Sequence, residues 1–184
     1  MKRAVDLLLS TVALALLSPV LLAAGLAVAL ESGWPVLFRQ VRVGRFGREF
    51  RMYKFRSMVK DAPSLGPYYT IDDDPRITRV GRFIRRTSID ELPQLINVLK
   101  GDMSLVGPRP DVPTQRALYR PADWNIRCSV RPGVTGLAQA LLRSAATPQQ
   151  RLELDLRYVR EASLWLDLKI IVCTLRAFRA GQSN

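Results

Sequence analysis

"LLLSTVALALLSPVLLAAGLAVAL", residues 7–30, is a run of 24 residues without a charge, and its course into or through a membrane decides the fold. As one α-helix it is about 36 Å long, enough to cross a hydrocarbon core of about 30 Å. Three readings compete. A cleaved signal peptide fits the basic start and Ala27-Val28-Ala29, an A-x-A-like site, but the apolar core is long for one. A plain transmembrane anchor needs nothing beyond the length. A re-entrant hairpin explains two more features. Ser18-Pro19 sits at the midpoint, where proline removes an amide donor and bends a helix, and the Ser18 hydroxyl can bond a carbonyl near the break. The flanking charges also agree in sign: Lys2 and Arg3 before, Arg39, Arg42, Arg45 and Arg48 after. Positive charge marks the cytoplasmic side of a membrane, so both ends are expected there. The expectation is a membrane-embedded hairpin over residues 1–32 and a cytoplasmic-face domain over 33–184.

Composition narrows the partner. Lys and Arg outnumber Asp and Glu 28 to 16, for a net charge of +12, which points to an anionic partner such as nucleic acid, a membrane surface or a phosphorylated substrate. Histidine is absent from the 184 residues. That excludes Ser-His-Asp and Cys-His nucleophiles and every His metal site. The two cysteines, Cys128 and Cys173, lack zinc spacing and suggest no disulfide scaffold, which fits a reducing cytosolic setting.

"WPVLFRQVRVGRFGREFRMYKFRSM" reads as two short strands around a turn from Gly44 to Gly47, with Lys54 and Arg56 near the end. "DDDPRITRVGRFIRR" predicts a helix with Asp74 as N-cap and Pro75 at N1, and Arg76, Arg79, Arg82 and Arg86 form a solvated or membrane-facing stripe. Asp72-Asp73-Asp74 also matches the DxD of metal-dependent nucleotide-sugar transferases, a weak signal without their alternating strands and helices. Leu92, Leu95, Ile96 and Leu99 follow helical spacing and Gly101 supplies the stop. "SLVGPRPD" sets Arg109 between two prolines, either a stiff turn or a rigid mount for a phosphate-binding guanidinium. "VRPGVTGLAQ" is a second such turn, holding Arg131. Thr147-Pro148 with Gln150 starts a helix running to about Arg160. The last helix, Leu164 to Phe178, is apolar with Lys169, Arg176 and Arg179 on one side, as an interfacial or a buried core helix would be. The predicted class is α+β, predominantly helical.

Asp90 and Glu91, in "RRTSIDELPQL", are the candidates for chemistry. If Ser88 were the N-cap, Pro93 would cost a helical hydrogen bond; with Asp90 as N-cap, Pro93 falls at N3, where the amide is free. Asp90 is then expected at the positive mouth of a helix. Capping alone would explain it. The alternative is a nucleophile: Lys54, Arg56, Arg85, Arg86 and Arg109, or a divalent metal on Asp90 or Glu91, would screen a phosphate from the carboxylate, and attack would give an acyl phosphate.

At these residues the chain resembles the bacterial sugar transferase family, the monotopic polyprenyl-phosphate phosphoglycosyl transferases. The matching stretches are "SPV", "FRQVRVGRFGREFRMYKFRSM", "DPRITRVGRFIRRTSIDELPQLINVLKGDMSLVGPRP", "RPGVTGLAQ" and "LELDLRYV…SLWLDLKII", in family order over nearly the whole chain. The length resembles the minimal catalytic form. The resemblance implies transfer of a sugar 1-phosphate from a UDP-sugar to a polyprenyl (undecaprenyl) phosphate, with release of UMP, at the cytoplasmic leaflet of the bacterial inner membrane. It implies Asp90 as nucleophile and Glu91 as a ligand of Mg²⁺ or an orienting group, with no nucleic acid as partner. Lys54, Arg56, Arg85, Arg86, Arg109, Arg131 and Arg143 are the expected phosphate or substrate contacts. One departure falls after "AQ". Family members commonly end the next stretch Gly-Arg-Asn, whereas Leu142 and Ser144 flank Arg143 here. Two rivals stay open: a membrane-tethered basic adaptor for anionic lipid or nucleic acid, and a DxD transferase acting by direct displacement.

Overall fold

A computed structural model describes residues 1–66, 70–71, 74–142 and 147–179. The apolar run belongs to α1 (Lys2–Ser32), whose 31 residues include Pro19. Proline at this position leaves the Ala15 carbonyl without its helical donor, and the Ser18 hydroxyl donates to that carbonyl at 2.8 Å. By length and composition α1 can cross a membrane. Its burial is confined to the two ends: Asp6 and Ser10 near the start, Ala24 and Val28 near the finish.

Both ends of α1 are tied to the same folded domain. At the start, Lys2 Nζ donates to Asp167 Oδ2 at 2.6 Å and to the Val106 carbonyl at 3.1 Å. Arg3 donates to the Val98 and Leu99 carbonyls, while Asp6 accepts from Ser104 Oγ and the Leu105 amide. At the finish, Glu31 accepts from the Arg79 and Val80 amides, both at 2.9 Å. Ala24 and Val28 share a hydrophobic cluster with Phe55 and Ile84.

The predicted hairpin forms: β1 (Leu37–Val43) and β2 (Glu49–Phe55) pair antiparallel from Leu37 opposite Phe55 to Val43 opposite Glu49. The turn is a 3₁₀ segment, Arg45–Gly47, with Phe46 and Gly47 at positive φ. A short α2 (Ala62–Leu65) precedes α3 (Arg79–Arg86). The predicted start of α3 is corrected. Thr78, not Asp74, is its N-cap, accepting from the Gly81 amide. Asp74 instead accepts from the Arg76 backbone amide, Nε and NH2, so Arg76 is buried and does not join a surface stripe.

α4 (Gln94–Lys100) stops at Gly101, φ 93°, whose amide bonds back to Asn97 and Val98. Asn97 docks this helix on the open edge of β2. Its side chain accepts from the Tyr53 amide at 2.9 Å and donates to the Arg51 carbonyl at 2.8 Å, filling one rung of a missing strand. The two Arg-Pro turns hold an element the sequence pattern did not suggest: β3 (Ser104–Val106) and β4 (Gly133–Thr135), paired in parallel. Their loops pack backbone to backbone, with room for no side chain: a Cβ on Gly133 would lie 2.1 Å from the Gly107 nitrogen. α5 (Pro121–Arg127) and α6 (Leu137–Leu141) lead to α7 (Pro148–Glu161), which begins with the expected Thr147–Gln150 capping box, and to α8 (Leu164–Arg179). Val106, Leu137, Tyr158 and Ile170 close the core between these last helices and the parallel pair.

Candidate active site

Asp90 and Glu91 do not cap a helix. They sit in a 3₁₀ turn, Ile89–Glu91, and the N-cap position of α4 is Pro93, with no side-chain cap bond at either start. Ser88 reverses the chain at φ 54°, ψ 18°, a left-handed conformation that costs a non-glycine residue about 1 kcal/mol or more. From there i to i+3 bonds carry the backbone to Pro93, which has no amide to satisfy. The expectation of Asp90 at a positive helix mouth is therefore corrected; it lies one turn earlier.

Each neighbour reaches the dyad from a different element. β2 places Met52 and Lys54 on one face: Met52 packs on Val98 of α4, and Lys54 Nζ bonds Glu91 Oε1 at 2.6 Å. Arg109 NH2 bonds the same oxygen at 2.8 Å. The loop that carries Arg109 has four successive carbonyls anchored. Pro108 accepts from the Gly133 amide, Arg109 from Arg127 NH2, Pro110 from Arg42 NH1 and Asp111 from the Val43 amide. Arg127 is itself clamped between Asp111 Oδ2 at 2.6 Å and Asp155 Oδ2 at 2.8 Å, all three buried.

The adjacent carboxylates have opposite electrostatics. Burial would raise the Glu91 pKa, but Arg109 and Lys54 overcome it and hold the group down at about 2. Asp90 is only 8% exposed. Burial pushes it up to about 6, offset in part by Lys54 and reinforced by the charge of Glu91. Among the described residues no hydrogen bond or ion pair engages the Asp90 carboxylate. Arg85 and Arg109 act on it through charge alone. A carboxylate without a partner, basic for its type and ionised at neutral pH, is suited to attack an electrophile.

The other expected contacts divide. Arg85 lies near the dyad and bonds Thr70 Oγ1 at 2.9 Å. Arg56 does not reach it: its guanidinium caps the end of α1, donating to the Ser32 and Gly33 carbonyls. Arg131 donates to the Gly101 carbonyl and ties the second Arg-Pro turn to the end of α4. Both guanidiniums thus serve backbone carbonyls at chain reversals, which need such donors. Arg86 lies on the exposed face of α3. Arg143, Asp72 and Asp73 lie outside the described residues. Asp74 is committed to Arg76, which removes it from a DxD site. Arg42, Asn97 and Arg127 position the site but gave no signal in the sequence beyond residue type.

These features define an α+β protein in which one long apolar helix is tied to a cation-bracketed carboxylate pair. The chain belongs to the bacterial sugar transferase family, whose model matches residues 1–181. It is 45% identical over 188 residues to the UDP-N-acetylgalactosamine-undecaprenyl-phosphate N-acetylgalactosaminephosphotransferase of Aeromonas hydrophila, covering 98% of this chain and 44% of that protein. It is 45% identical over 182 residues to the UDP-glucose:undecaprenyl-phosphate glucose-1-phosphate transferase of Escherichia coli K12, covering 95% and 39%. A Bacillus subtilis protein named uncharacterized sugar transferase EpsL matches at 45% over 176 residues, covering 96% and 86%. The chain thus spans less than half the length of the first two relatives.

Proposed function

We propose that the protein transfers a sugar 1-phosphate from a UDP-sugar to a polyprenyl phosphate such as undecaprenyl phosphate, through a covalent intermediate on Asp90. The observation that carries this is the split dyad. Glu91 is locked between Lys54 and Arg109, whereas Asp90 is unengaged and raised to about 6. The names of the Aeromonas hydrophila and Escherichia coli relatives, each a UDP-sugar and undecaprenyl-phosphate transferase, support the same reaction.

In the first step an Asp90 oxygen bonds the β-phosphorus, the bridging phosphorus–oxygen bond breaks, and UMP departs with that electron pair. In the second, an oxygen of the polyprenyl phosphate bonds the same phosphorus and Asp90 leaves as a carboxylate. No proton need be moved in either step, consistent with a chain that lacks histidine. Arg109 and Lys54 hold Glu91 away from Asp90's path and supply positive charge beside the diphosphate. A Mg²⁺ ion fits the donor set in part. Among the described residues no cluster of three metal-ligating side chains occurs, so an ion would share substrate phosphate oxygens, as Mg²⁺ commonly does. Glu91, whose Oε2 takes neither cation, and Asp90 would hold it, and it would neutralise charge on the phosphoryl group.

The membrane placement belongs to the same proposal: residues 1–32 enter and leave one leaflet, and residues 33–184 form the catalytic domain on the cytoplasmic face of the bacterial inner membrane. The support is that both ends of α1 bond one domain while residues near Pro19 are exposed. A straight crossing would set those ends on opposite sides. The adaptor alternative rests on the arginines and takes the dyad as a helix cap, and no side-chain cap bond supports that second part.

The test is trapping with UDP-sugars radiolabelled in the β-phosphate. Label stays on the denatured protein, is lost in Asp90→Asn, and accompanies UMP release. Equal labelling of the variant removes Asp90 as nucleophile.

A further inference from the structure

One face of the β1–β2 hairpin carries a cation that the catalytic proposal leaves without a task. The register sets Phe38, Gln40 and Arg42 of β1 opposite Lys54, Met52 and Phe50 of β2, so they share the face from which Lys54 reaches Glu91. Arg42 is held firmly there. Its Nε and NH2 donate to Gln40 Oε1 at 3.1 and 2.6 Å, and its NH1 donates at 2.9 Å to the carbonyl of Pro110, the residue after Arg109.

No carboxylate answers this charge. Among the described residues Arg42 has no ion-pair partner, and the acids that act on it are committed elsewhere: Asp111 to Arg127, and Glu91 to Lys54 and Arg109. Burial disfavours its charged form, and the Arg109 guanidinium is near enough to disfavour it further. Other guanidiniums of the domain differ. Arg109 and Arg127 end on carboxylates, while Arg56 and Arg131 end on carbonyls at helix C-termini, where the dipole is negative. Two neighbouring guanidiniums with one acid between them are poised for a second anion.

Gln40 completes the surface. An arginine offers only donors, so the Gln40 amide oxygen must face Arg42 and the NH2 must point away from it. Among the described residues that NH2 has no acceptor, and the guanidinium has N–H groups beyond those in use. Arg109, its side chain 32% exposed, stands beside them. Arg109 and Glu91 act on both Arg42 and Asp90, whereas Arg85 acts on Asp90 and Asp111 on Arg42, so the Glu91–Arg109 pair lies between the two.

We infer that Arg42, oriented by Gln40, binds the phosphate that stands opposite Asp90 across the reacting phosphorus: that of departing UMP in the first step and that of the polyprenyl phosphate in the second. Displacement at phosphorus runs in line, with attacking and leaving oxygens on opposite sides. UMP leaves from the side opposite Asp90, and the acceptor, which displaces Asp90, must enter from that same side. One fixed cation therefore serves both. The inference rests on the catalytic reading proposed above.

The experiment uses the full chain in nanodiscs. Gln40→Glu retains the acceptor for Arg42, so Pro110 stays held and Arg109 stays aimed, but it cancels the open charge. Val41→Glu adds the same charge on the other face of the hairpin, where Val41 is exposed. Isothermal titration should show UMP binding weakened roughly ten- to hundredfold by Gln40→Glu, the worth of a charge-assisted hydrogen bond, and by at most about twofold by Val41→Glu. Arg42→Gln, which removes the charge outright, should weaken UMP as Gln40→Glu does, with melting read on the buried Trp124 to verify folding. Discharge of the radiolabelled intermediate by limiting undecaprenyl phosphate should slow by a similar factor. UMP affinity within about twofold of the parent in Gln40→Glu, or an equal loss in Val41→Glu, overturns the inference. Normal discharge in a variant that has lost UMP overturns the shared position. A parent that takes no label from the UDP-sugar overturns the catalytic reading instead, and the UMP titrations test the phosphate site without it.

Discussion

Asp90→Asn should make the protein inactive and more stable. A carboxyl raised from 3.8 to about 6 is one whose ionised form the fold disfavours, by about 3 kcal/mol once both states are deprotonated. Between pH 6 and pH 3.8 the native protein binds a proton the unfolded chain does not. Stability therefore rises as pH falls through that window and is lowest, for this group, above pH 6. Asparagine has nearly the same shape and no charge, so the variant is freed of the cost. The gain should be up to about 3 kcal/mol at pH 8, or roughly 6–12 °C in melting temperature for a chain of this size, and near zero at pH 4. Thermal unfolding in nanodiscs, read by fluorescence of the buried Trp124, measures it. Taking the difference between parent and variant at each pH cancels the other titrations, Glu91's included. A variant less stable than the parent at pH 8, or a gap equal at pH 4 and pH 8, would refute the view that Asp90 is a desolvated and unpartnered anion.

Glu91→Gln should do the reverse. Its pKa lies at about 2, below the ordinary 4.5, so its contribution of about 3 kcal/mol is present above pH 4.5 and lost as pH falls through 2; the same unfolding assay should show that loss at pH 7. Arg127→Met leaves Asp111 and Asp155 buried without their shared cation and should cost about 3–5 kcal/mol in denaturant titrations, relieved in part by adding Asp155→Asn. Gly81→Ala places a methyl against the Ser57 carbonyl and should cost about 1–3 kcal/mol, whereas at Gly25 the nearest neighbour of a new methyl is 3.6 Å away and alanine should be tolerated.

The parts of the fold legible in the sequence were those fixed by neighbours along the chain. The β1–β2 turn, the Thr147 box and the Gly101 stop each follow from local backbone preferences, and each was found where expected. The start of α3 was misplaced because Asp74 and Pro75 satisfy the same rule as Thr78. What decided between them is the pairing of Asp74 with Arg76, a contact that composition does not reveal. The parallel pair β3–β4 escaped notice because three-residue strands carry no periodicity and join segments almost thirty residues apart. At the site, Asp90, Glu91, Lys54 and Arg109 were read from residue type and a family resemblance. The bonds of Arg56 to the end of α1 were not legible, because a cation that caps buried carbonyls and one that awaits a phosphate look alike in a sequence.

The contrast within the dyad has a single cause, the reach of its cations. Lys54 and Arg109 both end on Glu91 Oε1, so their hydrogen bonds serve Glu91 and only their charge is felt by Asp90. Three cations, Lys54, Arg85 and Arg109, face two acids there, and Asp90 is still raised, so burial outweighs a locally positive field. A pKa of about 6 leaves about nine in ten Asp90 side chains ionised at pH 7 while making the anion a stronger base than a solvated aspartate. Moving either cation onto Asp90 would ionise it fully and blunt it; removing Glu91 would release both cations to do so. On the proposed mechanism, Glu91 would then protect the reactivity of its neighbour by occupying the groups that would quench it. The pH–rate profile shows the difference. Activity should rise with pH through about 6 in the parent, and in Glu91→Gln any residual activity should have that rise shifted to lower pH, as Lys54 and Arg109 turn to Asp90.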